Sequence, residues 1–209
     1  MMRINQLSSA PDRAGRYRVE LEDGTVMRLY RQTVEDFGLY SGKEFTSEEF
    51  HALETSAGEM SAKMRAVRIV SASGVSKREL EHRLVQKGED PDQAKAAVEW
   101  MSELSLIDDR KTAEQIVSCC ISKGYGISRA KQALYEKRIP KELWEDALEN
   151  YPDQLEKIMD FLQSKLTADS QEKEIRRVID ALLRRGHSYS SIRKALNQLS
   201  FDTEDLPEA

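Results

Sequence analysis

Apolar and polar positions repeat one arrangement three times along the 209-residue chain: a helical stretch, a basic residue, a turn, and a second helix with matched apolar spacing. The first copy reads Leu80, Leu84, Lys87, Gly88, then Ala94 and Val98. The second reads Ala130, Leu134, Lys137, Arg138, then Trp144 and Leu148, and the third reads Val178, Leu182, Arg185, Gly186, then Ile192 and Leu196. Spacing of i, i+4 on each side of a turn lets both helices bury one face. A period of about fifty residues is the mark of an array whose units bury part of their apolar surface against neighbours. The pattern therefore predicts a mainly α fold of tandem three-helix, helix-turn-helix-like repeats in an elongated array.

Each repeat supplies its own start and stop signals. Met60, Met64 and Val67 share a face before a break at Ser73-Gly74; Ser76 and Glu79 form a capping box, Gly88 ends the helix, and Pro91 suits the start of the next. In the second repeat one of the adjacent Asp108 and Asp109 caps the helix carrying Ala113, Ile116, Val117 and Cys120, with Asp109 taken for the mutational test. No third ligand or partner base accompanies this carboxylate pair, so capping is preferred to metal binding or catalysis. Leu155, Ile158, Met159, Leu162 and Leu166 open the third repeat, and a helix over Gln171 to Arg185 follows.

The amino-terminal part follows a different period. Tyr17, Val19 and Leu21 alternate with polar residues, Asp23-Gly24 follows, and Val26 and Met27 resume an extended pattern. That is a β-hairpin signal, with positive φ expected at both central turn residues. A lone hairpin is marginal in water, so it needs further strand pairing or a helix to dock on. Thr46 and Glu49 predict a short helix near Glu48 to Leu53, with a joint around Ser56 to Gly58. The resulting division is residues 1–57 for the hairpin module, 58–108, 109–152 and 153–200 for the three repeats, and 201–209 for an acidic tail.

Composition narrows the function classes. A charged fraction of 33% with only 7% aromatic residues suits several small helical cores better than one thick one. No apolar run reaches the roughly 20 residues of a membrane span, and Met1 to Ala10 lacks the blocks of a signal peptide, so the expected location is the cytoplasm. The adjacent Cys119 and Cys120 read as helix packing, and His51, His82 and His187 have no ligand spacing around them. No nucleophile–base pair or phosphate loop stands out, so no catalytic residue, metal or cofactor is expected. Against a net charge of -5, the third repeat concentrates Lys173, Arg176, Arg177, Arg184, Arg185, Arg193 and Lys194. Tyr125, between Gly124 and Gly126 and beside a basic helix, suits either a nucleic-acid or acidic-partner contact or a C-cap with its ring folded onto its own unit.

The ordered run Glu79-Leu80, Leu84, Lys87-Gly88, Leu104, Leu106-Ile107-Asp108-Asp109, Lys123-Gly124-Tyr125-Gly126 with Arg129, and Arg184-Arg185-Gly186 with Ser190-Ser191-Ile192-Arg193 resembles the RecX family of recombination regulators. The similarity covers about Met60 to Leu199, and the hairpin module resembles the amino-terminal extension of longer members. The resemblance implies tandem three-helix units without enzymatic activity. It also implies a modulator that binds RecA and its DNA filament and inhibits its ATPase and strand exchange, within recombination, repair and the SOS response. Two positions depart from the family pattern. Glu89-Asp90 follows Gly88 where an aromatic or apolar residue is usual, and Arg138 stands where the second unit commonly has glycine.

The expected surface for RecA or DNA comprises Lys87, Lys123, Tyr125, Arg129, Lys131, Arg184, Arg185, Arg193 and Lys194. The chain is expected to act as a monomer, with single- or double-stranded DNA as a further partner and no membrane. The competing reading is an autonomous helix-turn-helix DNA-binding protein such as a transcription regulator, which requires one clearly basic recognition helix. Here the charge is spread over the second and third repeats.

Overall fold

The alternating segments on either side of Asp23-Gly24 pair as a hairpin within a larger sheet. In the computed structural model, which describes residues 2–167 and 169–199, the strands are β1 (Met2–Leu7), β2 (Arg16–Leu21), β3 (Val26–Tyr30) and β4 (Glu44–Phe45). They form an antiparallel sheet in the order β3-β2-β1-β4, with Val19 opposite Met27 and Arg18 opposite Arg28. The turn differs from the expected two-residue type. Only Gly24 has positive φ (85°); Gly24 N–H donates to the Leu21 carbonyl and Leu21 N–H to the Thr25 carbonyl. This is a three-residue loop closed by a left-handed glycine, and Asp23 braces it by accepting from Thr25 N–H at 2.9 Å.

Both kinds of support that a marginal hairpin needs are present. β1 and β4 add strand pairing, and α1 (Arg31–Asp36) and α2 (Ser47–Ala72) pack on the inner face. Ile4, Val19, Leu21, Leu29, Phe45, Phe50 and Leu53 are buried there. The capping box of Thr46 and Glu49 forms as expected. The short helix and the joint at Ser56 to Gly58 do not: α2 runs through them for 26 residues. Gly58 marks a close approach, since a Cβ there would collide with the Gln93 carboxamide.

The chain divides into two compact units, Met1–Ile107 and Asp108–Ala209. In the first, α2 carries on from the sheet into the first repeat, joined by α3 (Lys77–Gln86) and α4 (Pro91–Glu103). Fully buried Ala62 and Ala66 of α2, with Ala94 and Ala97 of α4, let these helices approach closely around Leu80, Leu84, Val98 and Met101. Ser76 accepts from Glu79 N–H to start α3, and Asp90 caps α4 with Pro91 at its first position.

The second unit holds α5 (Asp109–Ser122), α6 (Ile127–Glu136), a 3-10 turn (Lys141–Leu143), α7 (Trp144–Leu148), α8 (Leu155–Lys165), α9 (Glu172–Arg184) and α10 (Tyr189–Gln198). Its two repeats have separate cores, one around Val117, Cys120, Leu134 and Ile139, the other around Ile158, Leu162, Ile179, Leu182 and Ile192. Cys120 is buried and Cys119 exposed. The second helix expected around Trp144 is reduced to the 3-10 turn and α7, with Trp144 Nε1 donating to the Ile139 carbonyl at 3.0 Å. The expected acidic tail lies outside the described residues. Among those described, no helix is long and apolar enough to cross a membrane.

Asp108, and not Asp109, is the cap of α5: its Oδ1 accepts from Arg110 N–H at 2.9 Å and Lys111 N–H at 3.3 Å. Asp109 is the first helical residue and is 9% exposed. Asp108→Ala should therefore cost about 1 kcal/mol in urea unfolding and Asp108→Asn appreciably less, because an amide oxygen still accepts these bonds. Equal losses from the two variants would contradict a capping role.

The three repeats share a helix stop at atomic detail. The second helix of each ends in a paired motif in which Glu89, Ile139 and His187 N–H donate to Leu84, Leu134 and Leu182 carbonyls at 3.1, 3.0 and 3.2 Å. Gly88, Arg138 and Gly186 N–H groups donate to Val85, Tyr135 and Leu183 carbonyls at 2.9, 2.9 and 2.8 Å. This is the Schellman arrangement, which places a left-handed residue just past the helix and turns the following one inward. Gly88 and Gly186 supply that conformation without a Cβ, while Arg138 adopts it at φ 55°. The inward position is buried in all three repeats as Glu89, Ile139 and His187. Where the acidic residue replaces an apolar one, Ser61 and Arg65 on α2 donate to the Glu89 carboxylate, so the departure is matched by polar partners on the long helix.

Candidate functional site

In the second unit, the Gly124-Tyr125-Gly126 segment is the seam between the second and third repeats. Gly126 N–H donates to the Arg185 carbonyl at 3.0 Å and Ser128 N–H to the Gly186 carbonyl at 3.3 Å. His187 Nε2 lies 3.0 Å from the Gly124 carbonyl, and Tyr151 Oη donates to the Tyr125 carbonyl at 2.7 Å. The two segments touch through glycine: a Cβ on Gly126 would overlap the Gly186 carbonyl, and one on Gly186 would overlap the Arg129 backbone. The Tyr125 ring packs, half-buried, beside the core of the second repeat. Of the two readings left open for Tyr125, the C-cap folded onto its own unit describes this geometry.

This seam brings Tyr125, Arg129 and Arg185 together. Arg129 is half-buried, its guanidinium donating to Glu136 Oε1 on the same helix at 3.1 Å. Arg185 is also half-buried, with its guanidinium carbon 4.4 Å from the Phe161 ring centroid, a cation–π contact inside the third repeat. Lys123 and Lys131 are exposed at the end of α5 and along α6. Arg184 is exposed at the end of α9, where positive charge also meets the negative end of the helix dipole. Arg193 and Lys194 on α10 line a surface depression with Ser190, Asn197 and Gln198. Lys87 caps α3 in the other unit. Thus Lys123, Lys131, Arg184 and Lys194 present charge outward, whereas Arg185 and Arg129 are engaged within the fold.

Burial pushes the titration of His187 below its usual value; the Gly124 contact opposes this and the Arg185 charge adds to it. An unfolded histidine titrates near about 6.5, so as pH falls through that value the unfolded chain takes up a proton that the folded imidazole resists. The associated stability is fully present above the unfolded value and is lost on acidification toward the folded one. His187→Gln should accordingly show a smaller drop in urea midpoint between pH 7.5 and pH 5.5 than the parent; equal drops would remove His187 from the acid response. Burial likewise pushes the Tyr151 phenol up to about 12, keeping it a hydrogen-bond donor at neutral pH.

Sequence reasoning missed His187, Tyr151 and the pairing of Gly126 with Gly186 as the seam's working parts. One signal was available: aligning the repeats on Lys87-Gly88, Lys137-Arg138 and Arg185-Gly186 puts Glu89, Ile139 and His187 at one inward position. Which carbonyl His187 meets required the tertiary structure.

Residues 108–148 match the family described as RecX, second three-helix domain. The regulatory protein RecX of Vibrio parahaemolyticus is 29% identical over 149 residues, spanning 70% of this chain and 94% of the relative. That of Clostridioides difficile is 24% identical over 215 residues and 98% of both chains. Among solved structures, a crystal structure of regulatory protein RecX shares the fold with a TM-score of 0.65 at 19% identity, covering 94% of this chain and 100% of the other.

Proposed function

The chain belongs to the RecX family, and from that premise we propose that it binds RecA and its nucleoprotein filament and inhibits RecA ATPase and strand exchange. The observation that carries this reading is the match of a full three-helix repeat, together with relatives named regulatory proteins that align over nearly their whole length. The chain acts by binding and makes or breaks no covalent bond. Its setting is the cytoplasm, during recombination and DNA repair.

The repeats support this reading physically. In each, the end of the second helix is held by the paired carbonyl bonds of the shared stop motif. A series of such units can make many weak contacts along a repeating filament, and linked contacts sum to useful affinity without any single strong site. Arg184, Arg193, Lys194, Lys123 and Lys131 supply the charge for phosphate or acidic protein surface, with Lys87 extending the set in the first unit. Arg185 and Arg129 are instead engaged within their own repeats, Arg185 on the Phe161 ring and Arg129 with Glu136. The test is titration of the purified chain into RecA filaments on single-stranded DNA, read as ATP hydrolysis and strand exchange.

A further inference from the structure

A second basic feature lies in the first unit, far in sequence from the second and third repeats. β2 and β3 bury Val19, Leu21 and Leu29 on one face, which turns Arg16, Arg18 and Arg28 to the other. The loop before β2 is folded tightly around Asp12, whose carboxylate accepts from Ala14 and Arg16 N–H at 2.8 and 2.9 Å and from the Arg16 guanidinium. Arg13 sits in that ordered loop. Together Arg13, Arg16, Arg18 and Arg28 line a shallow depression of about 510 Å³, with Asp12 its one acidic lining residue.

Two details indicate that these charges serve something outside the fold. Arg18 stands directly opposite Arg28 in the strand register, an arrangement that costs stability through like-charge repulsion. Glu20 relieves Arg18, and Asp12 holds Arg16, but Arg13 and Arg28 have no acidic partner among the described residues. Uncompensated arginine forks on a rigid surface match the oxygen geometry of phosphodiesters. The apolar lining residues are Ala10, Pro11 and Ala14, with no aromatic ring on which a base could stack. Such a surface grips the backbone and is indifferent to base sequence.

We propose that this arginine-lined face of the amino-terminal sheet binds the phosphate backbone of single-stranded nucleic acid, giving the chain a DNA contact separate from its repeats. The inference rests on the filament-regulator reading only for the choice of single-stranded DNA as the polyanion. The sheet then anchors the regulator on exposed strand while the repeats engage protein.

The experiment uses the full chain, naked fluorescent oligo-dT and no RecA, so that it stands apart from any effect on RecA activity. Arg18→Gln/Arg28→Gln should weaken binding roughly tenfold near 0.1 M salt and flatten the salt dependence of log Kd by about 1.4, the counterion release of two single-strand contacts. Its thermal midpoint should hold steady or rise, since a repulsive pair is removed. Replacement of oligo-dT by oligo-dA of equal length should leave the parent's affinity within about twofold. Absence of parent binding, or a variant with unchanged affinity and salt slope, would overturn the proposal. So would a variant that keeps oligo-dT binding but loses binding to DNA-free RecA, which would identify an acidic protein surface as the occupant.

Discussion

Gly186→Ala should destabilise the second unit by about 3 to 4 kcal/mol, while Gly88→Ala, at the same place in the shared helix stop, should cost only about 1 to 2 kcal/mol. Both glycines are left-handed, with φ of 86° and 88°, so both alanine variants bear the same backbone strain. They differ in surroundings. A Cβ on Gly88 meets nothing within 4 Å, whereas one on Gly186 runs into the Arg129 backbone at the seam. Relieving that overlap means prising apart the hydrogen bonds from Gly126 and Ser128 to the turn. Urea unfolding of the two variants measures the difference. Equal costs would mean that the second and third repeats do not touch through this glycine, and the seam described above would be wrong.

The same comparison shows where sequence was informative. The triple pattern at Leu84, Leu134 and Leu182 was legible because it depends on local helix geometry and on stop motifs closed within six residues. Pro91, Ser76 and the Thr46–Glu49 box were legible for the same reason. β1 and β4 were not, because the alternation of Met2 to Asn5 breaks at a bulge between Ile4 and Gln6, Glu44–Phe45 is too short to show one, and their pairing is set by partners distant in sequence. Gly58 misled in a physically clear way: it reads as a helix break, but its missing Cβ admits Gln93 against α2. Arg138 shows the converse, since a left-handed stop forms without the glycine that usually announces it. For the proposed binding surface, charge could be read from the sequence, but which side chains are engaged within the fold could not. Arg184 and Arg185 look alike in sequence, yet one is exposed and the other stacks on Phe161.

That distinction defines the second large expected effect. Replacing Arg184, Arg193 and Lys194 together by glutamine should raise the concentration needed for half-inhibition of RecA by about tenfold or more, with the unfolding midpoint nearly unchanged. Arg184 and Lys194 are exposed and the half-buried Arg193 lines an open surface depression, so their loss registers in binding more than in the fold, and the difference should narrow as salt rises. Arg185→Gln should behave in the opposite sense, lowering stability by about 0.5 to 2 kcal/mol through loss of the Phe161 contact. A triple variant that inhibits like the parent at low salt would remove this end of the third repeat from the interface and leave Lys123 and Lys131 as the charges to test.

The central claim is that the chain restrains RecA on DNA by binding, and the most direct measurement is the single-stranded-DNA-dependent ATPase of preformed RecA filaments titrated with the purified chain. A saturable fall in hydrolysis at substoichiometric to equimolar ratios, accompanied by slower strand exchange and no hydrolysis by the chain alone, is the predicted result. Hydrolysis and strand exchange that stay unchanged through a molar excess of the chain would contradict it.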